Sequence, residues 1–180
     1  MKYFMLSSNP CYERSPNIIK ISKNEISPSD LANKNYYKFN KVTVLPVYER
    51  ENIDFIDCIS SPLFLVSNIC MDVIKMYNPY ISSKTVVLLS EKSRQMGNYN
   101  LPLLPRINCL TSNSKFNLNR SYIEYAQLDL NKVKDRNMFY IADTIGIYVV
   151  IRLDVLESML KRGVRGLKIS EIDVLEEVNC

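Results

Sequence analysis

Hydrophobic and polar positions alternate in short stretches along most of this chain, and only two segments switch to a helical period. Residues 2–6 read as a strand halted by Ser7-Ser8-Asn9-Pro10, and 17–22 as a second short strand. Residues 7–40 are polar and rich in loop formers, with Pro28-Ser29-Asp30 marking a helical turn. In 41–48 the β-branched Val42, Val44 and Val47 predict a strand. Pro46 inside it removes a ladder donor, which places that strand at a sheet edge or on a bulge.

The pattern sharpens from residue 53. Pro62-Leu63-Phe64-Leu65-Val66 reads as a buried strand, and Ser67 as a helix N-cap whose hydroxyl accepts from an orphan backbone N–H. Cys70, Val73, Ile74 and Tyr77 then share one helical face, until Asn78-Pro79 ends it. A strand returns over 85–89. Residues 91–120 lack periodicity and read as a long loop. Residues 121–130 read as a strand with mixed faces.

Near the C-terminus, 138–142 and 146–151 predict a hairpin around Asp143-Thr144-Ile145-Gly146. Asp154 is the expected cap of a second helix, with Glu157 completing a capping box. Val155, Leu156, Met159 and Leu160 form its apolar face, Lys161 and Arg162 its basic end, and Gly163 its left-handed stop. Gly166 and Leu167-Lys168-Ile169 lead into a last strand. The expectation is an α+β fold in one domain over 1–180: a mixed or antiparallel sheet with two short capped helices packed on it.

Composition changes this picture little. The chain has 180 residues, 47% hydrophobic and 23% charged, as a globular protein requires. The net charge of +4 is too mild to imply a polyanion partner. It sits in the first 50 residues, and the acidic stretch 171–177 closes the chain. The opening apolar residues are too few for a secretory leader, and no apolar run is long enough to span a bilayer, so a cytoplasmic location is expected.

The chemistry-bearing residues are sparse. The chain contains no histidine, which removes imidazole bases, Ser-His-Asp triads and imidazole metal ligands. Cys11, Cys58, Cys70, Cys109 and Cys180 form no C-x-x-C pair and are expected to be reduced thiols, most of them buried. Ser158 and Lys161 match S-x-x-K, yet they fall within a short amphipathic helix, where a solvated face accounts for both. Asp54 with Asp57, and Asp129 with Asp135, have the composition of a glycosidase pair and the spacing of ordinary surface charge. Gly163-Val164-Arg165-Gly166 follows a helix instead of preceding one, so it is a turn and no phosphate cradle. Asn33-Lys34-Asn35-Tyr36-Tyr37-Lys38-Phe39-Asn40-Lys41 interleaves rings with cations, as single-stranded nucleic-acid binding needs, or forms a loop whose rings tuck inward. Tyr36, Tyr37, Tyr80 and Tyr99 have the amphipathic character of interface anchors, or of half-buried structural tyrosines.

Three stretches resemble a family of bacterial immunity proteins of polymorphic toxin systems. They are Lys2-Tyr3-Phe4-Met5-Leu6, the Pro62-Leu63-Phe64-Leu65-Val66-Ser67 junction within 57–72, and the region from Leu128-Asp129-Leu130-Asn131 through Met138-Phe139-Tyr140-Ile141 to Arg152-Leu153-Asp154-Val155-Leu156-Glu157-Ser158, ending near Gly166-Leu167-Lys168-Ile169. The resemblance implies a protein that binds and neutralises a cognate toxin, without turnover, metal or cofactor. It carries over no catalytic residue and names no interface residue. Two other readings stay open: an enzyme built on a carboxylate or Ser/Lys site, and a single-stranded nucleic-acid binding module.

Overall fold

The computed structural model describes residues 1–119 and 121–175. The chain runs β1 (Tyr3–Ser8), α1 (Pro28–Ala32), β2 (Val42–Pro46), β3 (Cys58–Ile59), β4 (Leu65–Val66), α2 (Asn68–Tyr77), β5 (Ser83–Ser90), β6 (Gln95–Pro102), β7 (Arg106–Ile107), β8 (Lys115–Phe116), β9 (Ile123–Tyr125), β10 (Gln127–Asp129), α3 (Leu130–Val133), β11 (Met138–Ile141), β12 (Val149–Arg152), α4 (Leu153–Lys161) and β13 (Leu167–Leu175). This is an α+β fold in which sheet predominates.

One sheet has six strands in the order β10-β13-β1-β12-β11-β7, mixed in direction. Its central strands are covered on both faces, which is why they read as unbroken apolar runs. Met138, Tyr140, Val149 and Ile151 point into the larger core, while Phe139, Ile141, Val150 and Tyr3 point into a smaller one. The second sheet has five strands in the order β2-β5-β6-β4-β3. Its inner face meets the larger core through Leu45, Val86, Leu88, Tyr99 and Leu101.

Helices α2 and α4 supply Cys70, Met71, Val73 and Ile74, and Val155, Leu156 and Met159, to that same core. Ser67 caps α2 as its residue type requires, its hydroxyl accepting from the Cys70 N–H at 3.4 Å. The cap of α4 is a correction. Arg152 occupies that position without a side-chain capping bond, and Asp154 lies inside the first turn. The Asp154 carboxylate is instead gripped by Arg152 through two bonds of 2.8 and 2.7 Å. The same carboxylate also accepts from the Val155 N–H at 3.0 Å, so Asp154 bonds within the first turn instead of capping it from outside.

Two other expectations change. The loop expected over 91–120 contains β6, an eight-residue strand paired in register with β5 from Ser83↔Pro102 to Ser90↔Gln95. Its Gly97, Asn98 and Asn100 hide the strand signal, and the long pairing supplies it. The strand expected over 17–22 forms only one bridge, Ile18↔Val47. The hairpin of β11 and β12 and the edge position of β2, with its Pro46, are as expected.

Candidate functional site

Of the residues that sequence reading singled out for catalysis, Ser158, Lys161, Asp54, Asp57 and Asp129 each have a structural partner. The Ser158 hydroxyl lies 2.7 Å from the Tyr77 hydroxyl, which also donates to the Asp154 carbonyl, so this group fastens α4 to α2. Lys161 sits 4.0 Å from Glu157 on the exposed helix face. Asp54 pairs with Arg14 at 3.1 Å. Asp57 accepts from the Arg165 N–H at 2.7 Å, holding the turn between Gly163 and Gly166, both of which have positive φ. Asp129 caps α3 and pairs with Lys132, and no bond joins it to Asp135 among the described residues. Burial pushes the Cys70 and Cys109 thiols up to about 12 and Cys58 higher still, so these are core residues and poor nucleophiles. Cys11 is exposed, and Cys180 lies outside the described residues.

The basic-aromatic stretch 33–41 is taken apart by folding. Tyr36 and Phe39 enter the larger core, Lys34 is buried, and Lys38 pairs with Asp30 at 2.9 Å. Only Tyr37 among the rings stays outward. No row of stacked rings and free cations survives. Of the other tyrosines, Tyr99 is buried and donates to the Ile56 carbonyl at 2.8 Å, while Tyr80 is fully exposed.

What the fold does assemble is an open sheet face. In-register pairing lays Val42, Thr85 and Asn100 in one row, Val44, Val87 and Asn98 in the next, and Pro46, Leu89 and Met96 in a third. All nine side chains share one face, because alternate residues of a strand point the same way. The opposite face carries the buried Thr43, Leu45, Val86, Leu88, Tyr99 and Leu101. On the open face Val42, Val44 and Met96 are 56%, 52% and 62% exposed, and Val87 and Leu89 are half-buried between them.

The rim of this face is fixed. At one end Asn68 of α2 accepts from the Asn100 amide at 2.8 Å. At the other, Glu49 accepts from Ser90 and from the Lys92 N–H, bonds that hold its carboxyl below the usual range, the Ser90 bond foremost. Along β2 the edge itself is exposed. The Lys41 carbonyl and the Val47 N–H bond to β5, so the peptide groups of Val42 and Val44, of the other parity, turn outward. They meet no backbone partner among the described residues. The Pro46 carbonyl is closed off by the Ile19 N–H at 3.0 Å.

Sequence reading placed β2 at an edge but missed this face, because a third of it lies on β6. Alternation of the polar Asn98 and Asn100 with the apolar Tyr99 and Leu101 was the available signal, masked by Gly97. No helix among the described residues is long and apolar enough to cross a membrane. No family model matches the chain, and a search of curated proteins finds no match.

Proposed function

We propose that the chain is an immunity protein, one that binds a cognate toxin and blocks it through a pre-formed surface. The observation that carries this reading is the open face of β2, β5 and β6. Contiguous uncovered valines, leucine and methionine on a fixed sheet mark a surface that gains free energy when another protein covers it. The three stretches that resemble immunity proteins support the same reading. So does the engagement of Ser158, Asp54, Asp57 and Asp129 in holding the fold. On this reading the protein works in the cytoplasm of the cell that makes the toxin.

The test is co-expression with the toxic domain encoded beside this chain. Growth should be rescued by the wild type. Val44→Asp/Met96→Asp should abolish rescue while leaving far-UV circular dichroism unchanged, since both side chains are solvent-facing. Full rescue by that double variant would remove the face from the function. Failure of the wild type to protect would overturn the proposal.

A further inference from the structure

Folding dismantles the 33–41 stretch as a nucleic-acid platform, yet it gathers two cations that the sequence keeps 72 positions apart. Lys34 follows α1, and Arg106 opens β7 at the edge of the six-stranded sheet. Both line one cavity of about 420 Å³, together with Asn33, Asn35, Tyr37 and Pro105.

Lys34 is 6% exposed, a burial that a lysine tolerates only when its ammonium is well partnered. Its Nζ donates to the Thr144 carbonyl at 2.7 Å and reaches the Thr144 hydroxyl at 3.4 Å. An ammonium has three N–H donors, and the third meets no acceptor among the described residues. Arg106 donates through Nη1 to the Asn33 carbonyl, which leaves most of its fork unbonded. Asp143 is the acid whose charge reaches Lys34, and it forms no ion pair with either cation among the described residues; the Asp30 carboxylate, which accepts from Asn35 at 3.0 Å, is paired with Lys38. Two residues at this site have left-handed backbone, Lys34 at φ 55 and Asp143 at φ 56, a conformation that aspartate tolerates and lysine rarely adopts. Burial and the nearby Arg106 charge lower the Lys34 ammonium to about 8. An anion placed between the two cations relieves that repulsion.

We infer that the cavity bounded by Lys34, Arg106 and Tyr37 is a binding site for a small oxyanion, with the two cations as its charged walls. Phosphate and carboxylate share the chemistry that a guanidinium fork recognises. The exposed Tyr37 ring stands at the mouth, where it covers whatever group the anion carries. This inference is independent of the toxin-binding face, which lies on the other sheet.

The test is amide-resolved NMR titration of the full chain near pH 7, with inorganic phosphate in one arm and acetate in the other. Sodium chloride holds ionic strength equal throughout. Saturable shifts confined to residues 33–37, 104–106 and 143–144 are expected. Arg106→Gln, at an exposed position, should weaken binding by about tenfold or more, since it removes a charge-assisted bond. Lys34→Met should do the same, and its fold is checked by the dispersion of the same spectrum. A tighter phosphate arm assigns the site to phosphate-bearing ligands, and equal arms assign it to carboxylates as well. Absence of saturable shifts in both arms, or equal affinity in Arg106→Gln, would overturn the inference.

Discussion

Tyr140→Phe should make this protein more stable, although it removes a polar atom from a tightly packed core. Tyr140 is 1% exposed and packs edge-on against Phe64 at 6.4 Å and Tyr36 at 6.0 Å between ring centroids. Its hydroxyl, like that of Tyr36, has no hydrogen-bond partner among the described residues. A buried hydroxyl left unbonded costs about 1–3 kcal/mol in lost hydration. Deleting the oxygen returns that penalty. It also forfeits the van der Waals contacts of one atom, a few pairs at ~0.1–0.2 kcal/mol each. The balance is a stabilisation of about 1 kcal/mol, or a rise in Tm of about 2–4 °C for a chain of this size. Urea denaturation followed by circular dichroism reads it as a higher midpoint at unchanged slope. Tyr99→Phe is the control, because that hydroxyl donates to the Ile56 carbonyl at 2.8 Å, and its loss should destabilise by about 1–2 kcal/mol. If Tyr140→Phe lowers the midpoint as Tyr99→Phe does, the Tyr140 hydroxyl is bonded in solution and the reasoning fails.

Other variants probe other parts of the fold. Gly166→Ala should cost about 3 kcal/mol or more, because φ is +78° and the new Cβ would lie 2.5 Å from Ile56 Cβ. Gly163→Ala, at φ +73° with nothing within 4 Å, should cost only about 1 kcal/mol; equal losses in a thermal melt would refute the role given to Ile56. Ser67→Ala should remove about 0.5–1 kcal/mol, the low end for a cap because the bond is 3.4 Å long; no change in urea midpoint would deny the cap. Lys34 titrates at about 8 when folded, below its ordinary 10.5, so the folded chain sheds this proton first and the group adds stability as pH climbs from about 8. The buried thiols act oppositely above pH 9, so the clean readout is wild type minus Lys34→Met between pH 7.5 and 9; a flat difference would contradict the burial of that charge.

Local signals wrote some of this structure directly into the sequence. Ser67 announces α2, Gly163 announces the end of α4, and the unbroken Met138-Phe139-Tyr140-Ile141 and Val149-Val150-Ile151 runs announce strands covered on both sides. Features decided by distant partners were not legible. β6 is a strand because β5 lies beside it for eight residues, and its own Gly97 and Asn98 argue for a turn. Residues 17–22 have strand composition, but after Ile19 they leave the β2 edge. Asp154 has the right residue type for a cap, but the helix starts one residue before it, and its carboxylate bonds to Arg152 and to the Val155 N–H. The cation pair was half visible. Lys34 stood out within a basic-aromatic stretch, whereas Arg106 follows Pro105 in a segment without periodicity, and only the docking of β7 onto β11 brings it to Lys34.

The placement of β1 sets a timetable for folding during synthesis. This strand is made before every other strand among the described residues, yet its two neighbours in the sheet, β12 and β13, pair with it across separations of 143 to 169 residues, from Leu6↔Val149 to Tyr3↔Ile172. Every strand of the five-stranded sheet lies between Val42 and Pro102, so that half has all its strand partners before β12 and β13 are made. β1 must wait unpaired until β12 and β13 have been made, and the six-stranded sheet then closes around it as a slow, long-range step.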